Sequence, residues 1–442
     1  MSPSELFKRE FSVDRLKAIF YERILQSATA GKDGINPTEF EKTIDVEVAR
    51  MAVRAWEDKY DFTAFKQKLV LKGAGKIPRE ISIATVRDRL ALRALTNVLM
   101  EIFKDRKPSA PHYYVGEIAE FIKPLTDEYS FIQLDIKDFY PSILHESLLS
   151  RLRQRIRSRA ILNLVLKAIR TPTGNRVGDG VNTRGVPQGL SVSNILSSIY
   201  MTKFDQMAQS RFTYFRYVDD IVVICKSVEA KRKFKSIYNS LEKIGLSSHE
   251  LVEGSKTKIV PVSKGIEYLG YKIKPGAISV RSSSYRRMID NIISVITLAK
   301  YSANNSKIFS RLNIKISGCI FNGKRMGWMF FFSLTDDVSQ LKRLDAFVSR
   351  EWSALGLDKY GKPKKFVKAY YEIRFNMNST KYIPKFDDYT NEQKIKLIAD
   401  MDFFGDDSVV RSWTQERINK RFLQIVKKEV AELEKDVTPH GY

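Results

Sequence analysis

Cysteine is nearly absent. Cys225 and Cys319 are the two copies in 442 residues, and neither sits in a metal-ligand spacing. A disulfide framework and a zinc finger are both out of keeping with that. Histidine is scarce too, with four scattered copies, so a His-rich metal site is not expected. No apolar run approaches the roughly 18 residues that a membrane span needs. The start, Met1-Ser-Pro-Ser-Glu-Leu-Phe-Lys-Arg-Glu, is too polar for a signal peptide. A reducing, cytoplasmic setting without membrane contact is the expectation. Internal repeats and low-complexity tracts are also missing.

What is present is positive charge. Lys and Arg total 75 against 51 Asp and Glu, a net charge of +24. Such a field draws in polyanions, nucleic acid first. The 20 Tyr and 26 Phe interleaved with these cations suit base stacking, although most belong in a core. Hydrophobic content of 43% is that of a globular protein, and the length allows two or three domains or subdomains.

Residues 1–60 read as helices broken by Gly31-Lys-Asp-Gly34 and Pro37, and Arg87–Phe103 as a helix with Leu92, Leu95, Leu99 and Ile102 at helical spacing. Phe131-Ile-Gln-Leu-Asp-Ile136 reads as a buried strand, Leu148–Arg170 as one Arg-rich helix, 174–185 as a glycine-punctuated loop, and Ser191–Met207 as a further helix. Two strands, Phe212–Arg216 and Ile221–Cys225, flank the turn Tyr217-Val-Asp-Asp220. Lys231–Lys243 is helical and Glu267–Ile273 a strand; after Ser284 the pattern is mostly helical, with Thr335 the N-cap expected for Asp336–Leu355. Helices, then a mixed centre, then helices make an α+β fold.

The chemistry gathers at the Tyr-Val-Asp-Asp turn. Two adjacent aspartates at the tip of a buried hairpin repel each other and call for a cation. Asp135, at the end of another strand, supplies a third carboxylate. An all-oxygen cluster suits Mg²⁺ that bridges to substrate phosphates, and two such ions would activate a primer hydroxyl and stabilise the leaving pyrophosphate. An isolated Asp-Asp is usually just a solvated turn; the order of the surrounding motifs distinguishes this one.

Leu134-Asp-Ile-Lys-Asp-Phe-Tyr-Pro-Ser-Ile143, Arg184-Gly-Val-Pro-Gln-Gly-Leu-Ser-Val-Ser-Asn194, Tyr217-Val-Asp-Asp220, Gly254-Ser-Lys-Thr-Lys258 and Ile266-Glu-Tyr-Leu-Gly-Tyr-Lys-Ile273 follow one another in that order. Together they resemble the motif series of bacterial reverse transcriptases, the group that contains group II intron maturases, retrons and phage-defence enzymes. The resemblance spans Lys76 to Ile273. It implies a right-hand polymerase of fingers, palm and thumb, with an antiparallel palm sheet and helical flanks. On that plan 1–60 is a helical N-terminal extension and 61–130 the fingers. The palm is 131–273, with fingers residues interleaved at about 144–184. The thumb is 274–350, and 351–442 is an extension of unassigned role.

The resemblance also implies roles. Asp135, Asp219 and Asp220 would be catalytic and, with the Ile136 backbone, hold two Mg²⁺ ions, Mn²⁺ being the substitute. Lys76 and Arg79 would meet the triphosphate, with Arg87 and Arg89 as second candidates. Asp138 and Phe139 would offer backbone amides, Tyr140 would exclude the 2′-hydroxyl, Gln188 and Gly189 would approach nucleotide and template, and Lys256 would protonate pyrophosphate. Arg151, Arg153, Arg155 and Arg157, with Lys362, Lys364 and Lys365, are weaker candidates for nucleic-acid contact. Asp406-Asp407 after Gly405 mimics a polymerase hairpin but lacks the upstream motifs, so it reads as a turn or helix start. The expected partners are an RNA template (a dedicated non-coding RNA in a phage-defence setting), dNTPs and a DNA product; homo-oligomerisation is left open. The competing readings are untemplated or RNA-synthesising polymerisation, and a catalytically silent RNA-binding protein.

Overall fold

The computed structural model describes residues 1–25, 29–71, 77–107, 109–174, 181–403 and 405–437. They fall into two units, 1–109 with 126–261, and 110–125 with the residues from 262 onward.

In the first unit, β1 (Lys66–Val70) and β2 (Arg79–Ile83) pair antiparallel, with Val70 opposite Arg79. The main sheet centres on β3 (Tyr129–Lys137). On one side lies β5 (Asp220–Lys226), bordered by β4 (Thr213–Tyr217), and β6 (Ser247–Ser248) and β7 (Lys258–Pro261) also pair with β3. Every pairing is antiparallel. Ile221 to Cys225 are all buried, so β5 is covered on both faces and reads as a continuous apolar run rather than an alternation. The helices Val86–Ile102 and Ser193–Arg211 belong to the same core, with Leu92, Leu95 and Leu99 at most 1% exposed. Burying each such leucine contributes about 1.5–3 kcal/mol. The helix Val86–Ile102 starts cleanly because the Thr85 hydroxyl accepts from the Asp88 amide.

The second unit carries a three-stranded meander, β8 (Ile266–Tyr268), β9 (Tyr271–Lys274) and β10 (Ala277–Val280), a small hairpin of β11 (Cys319–Phe321) and β12 (Lys324–Met326), and helices. The longest helix, Gln415–Val437, sends Glu429 and Asp436 inward; both are buried and pair with Arg311 and Lys315 of the helix Asn305–Ser317. Residues 386–433 thus share a core with 314–326.

The α+β class expected from the sequence holds, and three local expectations change. The single helix Leu148–Arg170 is two, His145–Arg153 and Arg159–Arg170, so Arg155 and Arg157 lie in the connection between them. That connection drops Ile156 into the core at 0% exposure. The strand Glu267–Ile273 is a hairpin, turned at Leu269 and Gly270, both with positive φ. The N-cap near residue 336 is Asp337, accepting from the Gln340 amide, whereas Thr335 is fully buried with its hydroxyl donating to the Ile278 carbonyl. Both cysteines are free and buried. Among the described residues no helix is long and apolar enough to cross a membrane.

Candidate active site

The register of the sheet assembles the site. Asp135 lies directly opposite Asp220 across the β3–β5 pairing, and Tyr217 pairs with Asp220 across β4–β5. Val218 and Asp219 are left as a two-residue turn at the hairpin tip. The Ile136 amide donates to the Asp219 carbonyl at 3.1 Å, tying the tip to the neighbouring strand. Val218 has φ +56°. A β-branched residue in the left-handed region is strained, at a cost of about 1–3 kcal/mol, and persists only where its surroundings hold it.

What holds it is a buried network that sequence reasoning missed. Arg216 donates from Nε and Nη2 to the two carboxylate oxygens of Asp205, at 2.7 and 2.5 Å, and from Nη1 to the Val218 carbonyl at 2.8 Å. The Tyr214 hydroxyl donates to Asp205 at 2.7 Å. The Arg216 and Asp205 side chains are 10% and 17% exposed. Despite its burial, Arg216 is held charged by Asp205. An arginine ending a strand beside the Asp-Asp turn, eleven residues after an aspartate, was the available signal.

Asp135 is buried and anchored on several sides. Its carboxylate Oδ2 accepts from Lys256 Nζ at 2.9 Å and lies 3.2 Å from His249 Nε2, while its carbonyl accepts from the His249 amide at 3.0 Å. Burial and the charge of Asp135 push the Asp219 carboxyl above its usual range, with Lys256 and Arg79 pulling the other way. Asp135, Asp219, Lys256 and Arg79 therefore share one electrostatic neighbourhood. Tyr140 belongs to it as well. Its phenol is pushed up to about 12 by burial and then by the charge of Asp219, and it donates to Asn194 Oδ1 at 2.5 Å. Asp138, in the left-handed conformation at φ 45°, precedes the short helix Phe139–Ser142, and Phe139 is core at 3% exposed.

The Pro-Gln-Gly segment lies against β2. The Gln188 carbonyl accepts from the Ser82 amide at 2.7 Å. Gly189 has φ +96°, and a Cβ there would stand 2.6 Å from Ile81 Cγ2 and 3.0 Å from the Ser82 carbonyl oxygen. The close approach that requires glycine is therefore to the strand that carries Arg79. Lys76 lies outside the described residues.

The reverse transcriptase (RNA-dependent DNA polymerase) family model matches residues 70–273, a segment that contains all of these side chains. The chain carries a reverse transcriptase domain. With that domain placed, the fold class is that of a right-hand polymerase, and the activity class is that of an RNA-directed DNA polymerase, a nucleotidyltransferase. Three curated proteins are similar to this chain as well. Protein YkfC of Escherichia coli (strain K12) is 23% identical, over 55% of this chain and 76% of YkfC. The uncharacterized 91 kDa protein in cob intron of Schizosaccharomyces pombe is 26% identical, over 47% of this chain and 27% of its own length. The putative COX1/OXI3 intron 2 protein of Saccharomyces cerevisiae is 31% identical, over 19% and 10%. Among solved structures, Candida albicans telomerase in complex with a TWJ fragment of telomeric RNA aligns over 90% of this chain and 68% of its own, with 15% identity and a TM-score of 0.43. Apo telomerase from Candida tropicalis aligns over 50% and 55%, with 18% identity and a TM-score of 0.37.

The remaining candidates scatter. Arg87 is bound into a network with Asp88, Thr63 and the Asp61 carbonyl, and Arg89 donates to the Thr29 carbonyl. Arg151 and Arg153 sit in the last turn of His145–Arg153. Arg155 makes a two-point contact with Asp105 at 2.5 and 2.9 Å, which holds that carboxyl down to about 2. Arg157 is exposed. Lys362 and Lys365 are exposed in the second unit, whereas Lys364 turns inward, donating to the Tyr382 carbonyl at 2.5 Å and the Ser317 hydroxyl at 3.3 Å. Burial lowers its ammonium to about 8. The Asp406-Asp407 pair is structural: Asp406 accepts from the Ser408 amide, and Asp407 pairs with Arg411 at 2.7 Å at the start of a short helix.

Proposed function

We propose that this reverse transcriptase domain extends a 3′ or protein hydroxyl with dNTPs on an RNA template by two-metal catalysis, and that it works with a dedicated non-coding RNA in phage defence. The observation that carries the catalytic reading is the register that sets Asp135 opposite Asp220 with Asp219 in the adjoining turn.

The donor set suits a divalent cation by its chemistry. Among the described residues no group of three or more His, Cys, Asp or Glu side chains is already placed to hold a metal ion. The chemistry nonetheless fits: the donors are all oxygens, and the upward push of Asp135 on Asp219 is the like-charge crowding that a divalent cation relieves. Asp135, Asp219, Asp220 and the Ile136 carbonyl would hold Mg²⁺ or Mn²⁺, once Asp135 turns from Lys256. Two bound ions supply a more acidic attacking hydroxyl and a neutralised leaving group.

The side chains do the rest. Lys256, freed from Asp135, reaches the leaving phosphate as a proton donor, and Arg79 meets the triphosphate from the β2 side; Lys76, outside the described residues, is assigned to the same phosphates by its motif alone. Asp138 and Phe139 present backbone amides. Tyr140, beside Asp219, fills the space that a 2′-hydroxyl would need and so favours dNTPs. Gln188 and Gly189 position β2 against the nucleotide. Arg151, Arg153 and Arg157 add cationic surface for RNA.

The test compares the parent chain with an Asp219→Asn Asp220→Asn variant on a primed RNA template, with dNTPs or rNTPs offered. Templated DNA synthesis that falls at least a thousandfold in the variant, with folding intact, is expected. Preference for rNTPs, product without template, or undiminished synthesis by the variant would each overturn this reading. Recovery of one discrete RNA with the chain from its host, and increased phage sensitivity on deletion of its gene, are the results expected for the biological role.

A further inference from the structure

The second unit has its own concentration of charge. Between residues 359 and 385 there are eight Lys and Arg, one carboxylate (Glu372) and six aromatic rings. The helix Phe366–Phe375 sorts them. Phe366, Ala369, Tyr370 and Ile373 point inward and are buried. The opposite face shows Lys368, Tyr371 and Phe375 at spacings of three and four, so they form one outward stripe.

That stripe is unusual for a surface. Tyr371 is 46% exposed and Phe375 68% exposed. Their rings are nevertheless organised, stacked with centroids 6.0 Å apart and planes 27° apart. Arg374 is fixed beside them, donating to the Tyr370 hydroxyl at 2.5 Å, with its guanidinium 5.9 Å from the Phe375 ring and 3.6 Å from Asp336. Lys368 Nζ lies 4.8 Å over the Tyr382 ring, and Lys362 and Lys365 are exposed just upstream. Two exposed, stacked rings edged by cations and nearly free of carboxylates complement a chain of unpaired bases on a phosphate backbone. Double-stranded nucleic acid offers no base faces to such a surface, and a basic or neutral protein partner gains nothing from the cations.

We propose that the Tyr371–Phe375 pair is a stacking platform for unpaired bases of single-stranded nucleic acid, with Lys362, Lys365, Lys368 and Arg374 tracking the backbone. This lies outside the matched segment 70–273 and deepens the proposed RNA partnership by naming where unpaired nucleotides are gripped.

Binding is measured on the full chain in the Asp219→Asn Asp220→Asn background, so that synthesis does not enter the readout. The probes are a fluorescent single-stranded RNA, the same sequence as DNA, and its RNA duplex, at two salt concentrations. Tyr371→Ala Phe375→Ala is expected to weaken single-strand binding about tenfold or more, to leave duplex binding unchanged and, both positions being exposed, to keep the melting temperature. Tyr371→Phe should keep parent affinity. Lys362→Ala Lys365→Ala should lower the salt slope for all probes. A shared loss for RNA and DNA single strands supports stacking without sugar selection, and a loss confined to RNA supports an RNA-specific platform. Unchanged single-strand affinity in Tyr371→Ala Phe375→Ala, an equal loss for duplex, or a dimer of the parent chain that the substitutions abolish overturns the proposal. None of these outcomes bears on whether Asp219 and Asp220 support synthesis, so the two readings fail separately.

Discussion

Arg216→Met probes how the Tyr217–Asp220 turn is held. Arg216 makes three charge-assisted hydrogen bonds, two to Asp205 and one to the Val218 carbonyl. Its loss leaves Asp205 buried with the Tyr214 hydroxyl as its remaining partner in this network. Removing one partner of a buried ion pair costs about 3–5 kcal/mol. For a unit of this size each kcal/mol moves the melting temperature by about 2–4 °C, so a fall of about 6–20 °C is expected. A second effect is separable from the first. Without the Nη1 contact, the 1–3 kcal/mol of strain at Val218 can relax, and the turn then leaves its working geometry about ten- to a hundredfold more often. Adding Asp205→Asn distinguishes the two, because it removes the stranded charge but keeps an acceptor for Tyr214. The double variant should regain most of the melting temperature while kcat for RNA-templated dNTP addition stays about ten- to a hundredfold low. A double variant that recovers both stability and parent kcat would refute the idea that the Val218 carbonyl anchor positions Asp219 and Asp220.

Two further outcomes follow from single sites. Gly189→Ala puts a Cβ into Ile81 and the Ser82 carbonyl at positive φ, and should lower stability by about 1–3 kcal/mol in chemical denaturation; parent-like stability would contradict the close packing of this segment on β2. Lys364 has its ammonium lowered to about 8 by burial against an ordinary 10.5, so the folded form loses its proton first and stability should rise with pH between about 8 and 10.5. Relative to Lys364→Met, the parent should gain on the order of 3 kcal/mol across that window, and a difference that stays constant from pH 7.5 to 10 would refute it.

Much of the main sheet was legible because its signals are local. Apolar runs on either side of Tyr217-Val-Asp-Asp220 predict a buried hairpin, and the register then places Asp135 opposite Asp220. The misread elements show where local signals end. Leu148, Leu152 and Ile156 keep a spacing of four and are all fully buried, so periodicity ran through a break that the backbone makes after Arg153. Thr335 and Asp337 are equally good caps in sequence, and the choice falls to Asp337 because Thr335 is drawn to the Ile278 carbonyl from 57 residues away. Lys362, Lys364 and Lys365 look alike, yet the middle one is internal, a distinction set by Ser317 and Tyr382 from elsewhere in the unit.

The same contrast explains the architecture of the site. Asp135, Asp219 and Val218 each break a local rule: a buried carboxylate, a second one beside it, and a β-branched residue at φ +56°. Local rules are broken where chemistry needs it, and the compensation must come from the surroundings. Here it comes from Arg216 and Asp205 beneath the turn and from Lys256 and Arg79 around the carboxylates. The residues that break the rules form a short motif and are easily read. Those that compensate are spread from Arg79 to Lys256 along the chain and meet only once the sheet has formed. A sequence therefore shows where such a site is long before it shows what keeps it folded.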